Sequence, residues 1–379
     1  MEVVLPFLEG RDMIKEAGGE VFRLCYQCGT CTGVCPWNRV STLNIRKAMH
    51  EAALGVLDIE SAQNWLCVTC NMCVERCPRG VKIIDFWRSL RRIMVDAQMV
   101  PVDLRRALSS ISTDGNPYIG ERKKRAEFSK TLGIRPFEPT MEYYLFLCCA
   151  AIYDPLTQCM AQTLVRVLNT AGVSFGAHPD SEVCCSESAR KVGSEDMFQT
   201  AAAQNIENFK SSGAKKILVI SPHCYWTFKN EYPELGGKFE VVHYTELLFE
   251  LVSSGRLKPK AKKPIKVAYH DPCYLGRHSK IYEEPREVLR AAGYELVTMA
   301  EERDAALCCG GGAGRIWMDT KKGERFSDIR VNQAIDAGAE VLAVACPYCY
   351  ANMADSIITE GKEGRLRSAD ISQLLIEAL

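Results

Sequence analysis

The sequence predicts a multidomain α+β/α/β protein: a small, helical, cysteine-dense N-terminal domain followed by a duplicated α/β unit on parallel sheets. Three observations predict it. Residues from about 20 to 80 are crowded with Cys, Gly and Pro. From Tyr143 onward, short apolar runs alternate with amphipathic helical stretches, the pattern of a mostly parallel sheet covered by helices. The second half also repeats itself. Cys149, Cys184 and Cys185 recur 124 residues later as Cys273, Cys308 and Cys309, and Ser221 and Cys224 recur 125 residues later as Cys346 and Cys349.

Taken in order, the cysteine-dense segment gives way to a helical stretch over residues 86–111 that contains one proline, Pro101. The polar, turn-rich residues that follow read as a linker. Buried strands are expected at 143–148, 216–221, 266–270, 295–300 and 340–345, each a short apolar run. Helices such as LTQCMAQTLVRVLNTAG and RFSDIRVNQAIDAG lie between them, both closed by glycine. The expected domains are 1–110, a linker 111–142, a first repeat 143–262 and a second repeat 263–379, with GRLKPKAKKPIK (255–266) joining the repeats. The basic residues of that joint and of ERKKR (121–125) read as solvated connectors.

With 379 residues the chain has room for several cores, and 47 basic residues balance 47 acidic ones. No global field draws it to nucleic acid. No apolar stretch reaches the roughly 20 residues of a membrane span, and the start MEVVLPFLEGRD lacks the basic-then-apolar texture of a secretory signal. A cytoplasmic protein is expected, one able to sit at the inner face of a membrane through a partner subunit. Nineteen cysteines in such a chain point to metal or catalysis rather than a disulfide framework.

Two runs are specific. Cys25-x2-Cys28-x2-Cys31-x3-Cys35-Pro36 and Cys67-x2-Cys70-x2-Cys73-x3-Cys77-Pro78 match the bacterial [4Fe-4S] run without a gap. Three cysteines two residues apart wrap the chain around one cubane, and the fourth is carried to the neighbouring cluster. One cubane is therefore assigned to Cys25, Cys28, Cys31 and Cys77, and the other to Cys67, Cys70, Cys73 and Cys35. Zinc also takes four thiolates, but it uses paired CxxC modules. With every corner cysteine-ligated, this bacterial-type two-[4Fe-4S] ferredoxin domain is a wire, not an active site.

The second repeat reads Cys273-x34-Cys308-Cys309-Gly310-x35-Cys346-x2-Cys349. It resembles the CCG (cysteine-rich) domain of heterodisulfide reductases and of iron–sulfur subunits of lactate, glycolate and glycerol-3-phosphate oxidising systems. The order of a two-cluster domain and two CCG copies looks most like the D-type heterodisulfide reductase proteins and their relatives. The resemblance implies a non-cubane [4Fe-4S] cluster on Cys273, Cys308, Cys309, Cys346 and Cys349. Gly310 to Gly314 follow cysteines rather than a strand, which argues against a nucleotide loop and for close approach of the backbone to the cluster. The first copy departs from the pattern. Ser221 stands in place of a cysteine and Ser186 in place of glycine, so Cys149, Cys184, Cys185 and Cys224 hold a simpler cluster or belong to a scaffold. Cys148 and Cys159 read as small buried hydrophobes.

His223, His270 and His278 lie near motif cysteines and His178 precedes Cys184. They read as hydrogen-bonding neighbours of cluster sulfur or as proton donors, with His270, Asp271 and His278 the candidates for proton delivery. The function expected is reduction or oxidation of a small disulfide/thiol substrate as in heterodisulfide reductase. The alternative is an electron-transferring subunit of a flavin- or quinone-linked dehydrogenase or acyl-CoA redox complex. Partners would be a flavoprotein, a ferredoxin-like subunit or a membrane quinone/cytochrome subunit.

Overall fold

The computed structural model describes residues 5–260 and 265–379. The expected boundary between repeats at 262/263 lies outside the described residues.

The N-terminal part is helical, with helices Leu8–Ile14, Ile45–Leu54, Ile83–Asp96 and Val102–Asp114. The helix at Ile83–Asp96 buries Ile83, Phe86, Trp87, Leu90 and Met94 along one stripe. The stretch read as one helix over 86–111 is two, because Pro101 has no N–H to donate and instead caps the second. Each cysteine run wraps through two left-handed residues at matching places: Gln27 and Gly29 in the first, Thr69 and Asn71 in the second. Thr69, β-branched at φ 51°, is a costly conformation for its residue type.

The rest holds two four-stranded sheets. The first contains β1 (Tyr143–Phe146), β2 (Phe175–Gly176), β3 (Lys216–Val219) and β4 (Glu240–His243). The second contains β5 (Lys266–Tyr269), β6 (Glu295–Val297), β7 (Val341–Val344) and β8 (Arg367–Asp370). Their orders are β2-β1-β3-β4 and β6-β5-β7-β8, every pair parallel. The internal repeat is therefore a repeat of topology as well as of sequence. The copies join reciprocally. Helix Gln158–Thr170 of the first packs on Ile371–Glu377 of the second, and Tyr244–Ser253 packs on Glu283–Ala291. The Thr163 and Ser372 hydroxyls share a hydrogen bond of 2.8 Å across this seam, the geometry of a pseudo-two-fold interface.

The stretch 111–142 is more than a connector. It carries helix Lys123–Thr131, and Arg125, expected to be solvated with its basic neighbours, is buried at 1% exposure. Among the described residues no helix is long and apolar enough to cross a membrane.

Candidate functional site: three groups of thiols in contact range

Cys25, Cys28, Cys31 and Cys77 line one cavity together with Met49, Pro78 and Ile83. Cys67, Cys70, Cys73 and Cys35 line a second, with Leu43, Ile45 and Ile84. Each cavity offers four sulfurs in a largely apolar wall, the donor set a cubane takes. Sulfurs around a single zinc stand about 3.8 Å apart for Zn–S bonds of about 2.3 Å. Among the described residues, no three of these eight sulfurs lie within 4.8 Å of one another, so the spacing suits a cluster better than one ion. Cys28 is exposed while Cys70 and Cys73 are buried, so the first cavity faces outward and the second inward.

In the second copy the thiols form a chain. Cys273 and Cys308 are 3.9 Å apart; Cys308 adjoins Cys309, Cys309 adjoins Cys349, and Cys349 adjoins Cys346. All five are buried. Cys273 follows β5 and Cys346 follows β7, its neighbour, so the chain sits at the carboxyl ends of parallel strands. Hydrogen bonds from Cys308, Cys349 and His270 hold the Cys309 pKa well below the usual thiol value. Burial opposes ionisation of Cys346, but bonds from Cys349 and His223 outweigh it and bring its pKa to about 6. Five sulfurs with two predisposed to be thiolates fit a bound iron–sulfur cluster. A surface cavity of about 240 Å³ reaches Cys309, walled by Trp37, Gly310, Arg315, Phe326 and Asn352.

The second cubane cavity abuts this chain directly. The Cys70 and Cys308 side chains are neighbours in one buried cluster. Arg277 Nε donates to the Cys70 carbonyl at 2.7 Å, the Thr69 and Tyr274 hydroxyls bond at 2.9 Å, and His278 Nε2 reaches the Thr69 carbonyl at 2.9 Å. Gly312 explains the glycine run: a Cβ there would stand 2.3 Å from the Val68 carbonyl oxygen. The run closes on the backbone of the second cysteine loop, and only glycine leaves the room.

The histidines divide. His270 Nδ1 accepts from Arg330 Nε at 3.1 Å, and its ring lies in one group with Cys309 and Cys349. His223, from the first copy, crosses the seam to Cys346 and pairs with Glu187 at 3.3 Å. Burial opposes a charge on His223, yet the Glu187 carboxylate raises its pKa to about 10. Asp271 is engaged by Arg286 at 2.6 and 2.9 Å and by the Arg303 N–H at 2.8 Å. The His178 ring is tilted at 55° to that of Tyr144, with centroids 6.1 Å apart.

In the first copy Cys149, Cys184, Cys185 and Cys224 come together, with Cys185 and Cys224 3.4 Å apart. Hydrogen bonds from Cys184 and Cys224 lower the Cys185 pKa to about 6. Sequence reasoning missed Arg125, whose Nη2 donates to Cys149 at 3.0 Å while Nη1 pairs with buried Glu182 at 3.1 Å. Nothing in the local sequence separates it from the lysines beside it. It also missed Cys148, whose side chain reaches Cys224. Cys159 lies apart, against Tyr350.

Comparison with known proteins agrees with this geometry. The cysteine-rich domain (CCG) family matches residues 143–229 and 267–354, and the 4Fe-4S dicluster domain family matches residues 22–81. The chain is 36% identical over 330 residues to EtfAB:quinone oxidoreductase of Syntrophomonas wolfei, covering 83% of this chain and 46% of that protein. It is 30% identical over 326 residues to the D-type protein of dihydromethanophenazine:CoB–CoM heterodisulfide reductase from Methanosarcina barkeri, covering 83% of this chain and 77% of that one. It thus spans about half the length of the first relative and most of the second. A crystal structure of a hypothetical Helicobacter pylori protein shares the fold, with a TM-score of 0.56 at 13% identity over 98% of this chain and 72% of that one. The chain therefore belongs to the iron–sulfur oxidoreductase family that joins a 4Fe-4S dicluster domain to two cysteine-rich CCG domains and includes the D-type heterodisulfide reductase proteins.

Proposed function

We propose that this chain is a redox subunit in which two [4Fe-4S] cubanes exchange electrons with a non-cubane cluster on Cys273, Cys308, Cys309, Cys346 and Cys349, where a thiol/disulfide couple reacts. The observation that carries it is the contact of Cys70 with Cys308, because it joins a ligand of the inner cubane to a ligand of the second-copy cluster. Outer cubane, inner cubane and second-copy cluster then form one row, entered at the exposed Cys28 side.

When bound, the cluster supplies electrons one at a time at a site able to meet sulfur. The chain's own residues do the rest. The cavity beside Cys309 admits a small substrate. Cleaving one S–S bond consumes two electrons and two protons and yields two thiols. His223, held protonated by Glu187 beside Cys346, is the proton donor supported best. Of the groups expected to deliver protons, Asp271 and His278 are held by Arg286 with Arg303 and by Thr69, while burial lowers the pKa of His270, whose Nδ1 accepts from Arg330. The proposed catalytic set is therefore the five cysteines with His223.

A second reading rests on the Syntrophomonas relative, named for electron flow between EtfAB and quinone: the same row with all substrate chemistry on a partner. EPR of the oxidised, anaerobic protein separates the two. A thiol that changes the signal of the second-copy cluster supports the first. Cubane spectra alone, unmoved by thiol, leave only the second.

A further inference from the structure

The first copy lacks the cysteine that Cys346 supplies in the second, and the fold replaces it from the neighbouring strand. Parallel β1 and β3 pair Phe146 with Val219. Two residues further on, the same register sets Cys148 beside Ser221. In the second copy β5 and β7 pair Tyr269 with Ala343, which sets Pro272 beside Cys346. The repeat offsets align Cys148 with Pro272 and Ser221 with Cys346. A Pro–Cys pair in one copy is thus a Cys–Ser pair in the other, with the thiol moved across one strand spacing of about 4.8 Å.

The contacts follow the exchange. The second copy links its thiols in the order Cys273, Cys308, Cys309, Cys349, Cys346. The first links Cys149, Cys184, Cys185, Cys224 and then Cys148. Each member matches its counterpart by repeat offset except the last, where Cys148 does what Cys346 does. Ser221 has other work. Its hydroxyl accepts from the His223 N–H at 3.3 Å and caps the helix that starts at Pro222, whereas Cys346 makes no side-chain cap bond. All five first-copy thiols are buried, and buried Arg125 sets a positive charge against Cys149, which offsets the charge that clustered thiolates accumulate.

We propose that the first copy binds its own iron–sulfur cluster on Cys148, Cys149, Cys184, Cys185 and Cys224, with Cys148 the ligand that substitutes for Cys346. The full chain then carries four clusters. This shares with the reading above only that the chain binds iron–sulfur clusters; it makes no use of thiol chemistry or of the Cys70–Cys308 contact.

The test is metal and sulfide analysis of the full chain purified anaerobically, with EPR of the reduced cubanes as the check that the N-terminal part is folded. The wild type is expected to hold about 16 irons and Cys148→Ala about 12, four per cluster. Cys148→Pro combined with Ser221→Cys recreates the second-copy arrangement and is expected to restore about 16. About 12 irons in the wild type, about 16 in Cys148→Ala, or zinc that disappears with Cys148 would each overturn the proposal. If Cys148→Ala also loses the cubane signals, the double variant decides: recovery supports the proposal and continued loss overturns it. A second-copy EPR signal that ignores thiols, with iron falling from 16 to 12 in Cys148→Ala, would sink the disulfide reading and leave this one standing.

Discussion

The two α/β copies share strand order, reciprocal helix packing and a chain of five thiols, yet their surroundings differ. The second copy faces outward on two sides, toward Cys70 of the inner cubane cavity and toward a cavity at Cys309. The first copy rests on a buried ion pair, Arg125 with Glu182, each 2% exposed in its side chain. Duplication has kept the thiols and changed what they meet. The second copy's thiols meet a cubane cavity and a surface cavity; the first copy's meet a buried guanidinium.

The largest expected difference between the copies is in electron flow. Cys309→Ala should abolish thiol-linked turnover while both N-terminal cubanes stay reducible. Cys185→Ala, the equivalent change in the first copy, should leave the cubane-to-second-copy transfer in place. Stopped-flow reduction of both variants by one donor measures this, and equal loss in both would erase the distinction.

A smaller effect concerns stability. Arg125→Leu leaves Glu182 buried without its cationic partner, and breaking a buried pair from one side costs about 3–5 kcal/mol. Denaturant unfolding of the variant should show that loss. Among the described hydrogen bonds no charged side chain of the second copy donates to Cys273 as Arg125 does to Cys149; the second copy's own buried pair is Arg286 with Asp271, and Arg286→Leu should cost a similar amount.

The smallest effect is a contrast in pH. His243 ends β4 and Asp370 ends β8, and each caps the next helix in a reciprocal capping box. Burial lowers the His243 pKa to about 3 and raises the Asp370 pKa from 3.8 to about 6. His243 binds its proton more readily when unfolded, so its contribution is full above about pH 6.5 and is lost as pH falls, at up to about 1.4 kcal/mol per unit. Asp370 binds its proton more readily when folded, so its contribution is lost as pH rises from 3.8 through about 6. Unfolding midpoints measured from pH 5 to 7.5 should lose their acid-side fall in His243→Gln, while Asp370→Asn removes the opposing slope between pH 5 and 6. Parallel profiles for the two variants would contradict the assignment.

How far the sequence alone could see follows from where the information sits. The apolar strand cores were legible because β1, β3, β5 and β7 are runs of Val, Ile, Leu, Tyr, Phe and Ala, buried except for the leading Lys216 and Lys266. β2 is only two residues long and β8 reads Arg-Ser-Ala-Asp, so neither carries an apolar run to detect. Cysteine spacing was legible for the same reason that a cluster needs it: ligands must arrive at fixed intervals. Cys148 escaped because its partner Cys224 is 76 residues away, and only strand register brings them together. The use of Gly312 was hidden likewise, since its neighbour Val68 belongs to another domain of the chain. Local chemistry is written locally; contacts between distant segments are not.

The central claim is that electrons pass from the inner cubane to the second copy across the Cys70–Cys308 contact. Rapid-freeze EPR on the wild type and Gly312→Val tests it most directly, because the added side chain would press on the Val68 carbonyl and part the two surfaces. After reduction of the cubanes, the account predicts that the second-copy signal follows within the same mixing time in the wild type and lags by at least tenfold in the variant, with cubane reduction unchanged. Equal rates in both proteins, or a second-copy signal that appears before the cubanes are reduced, would contradict it.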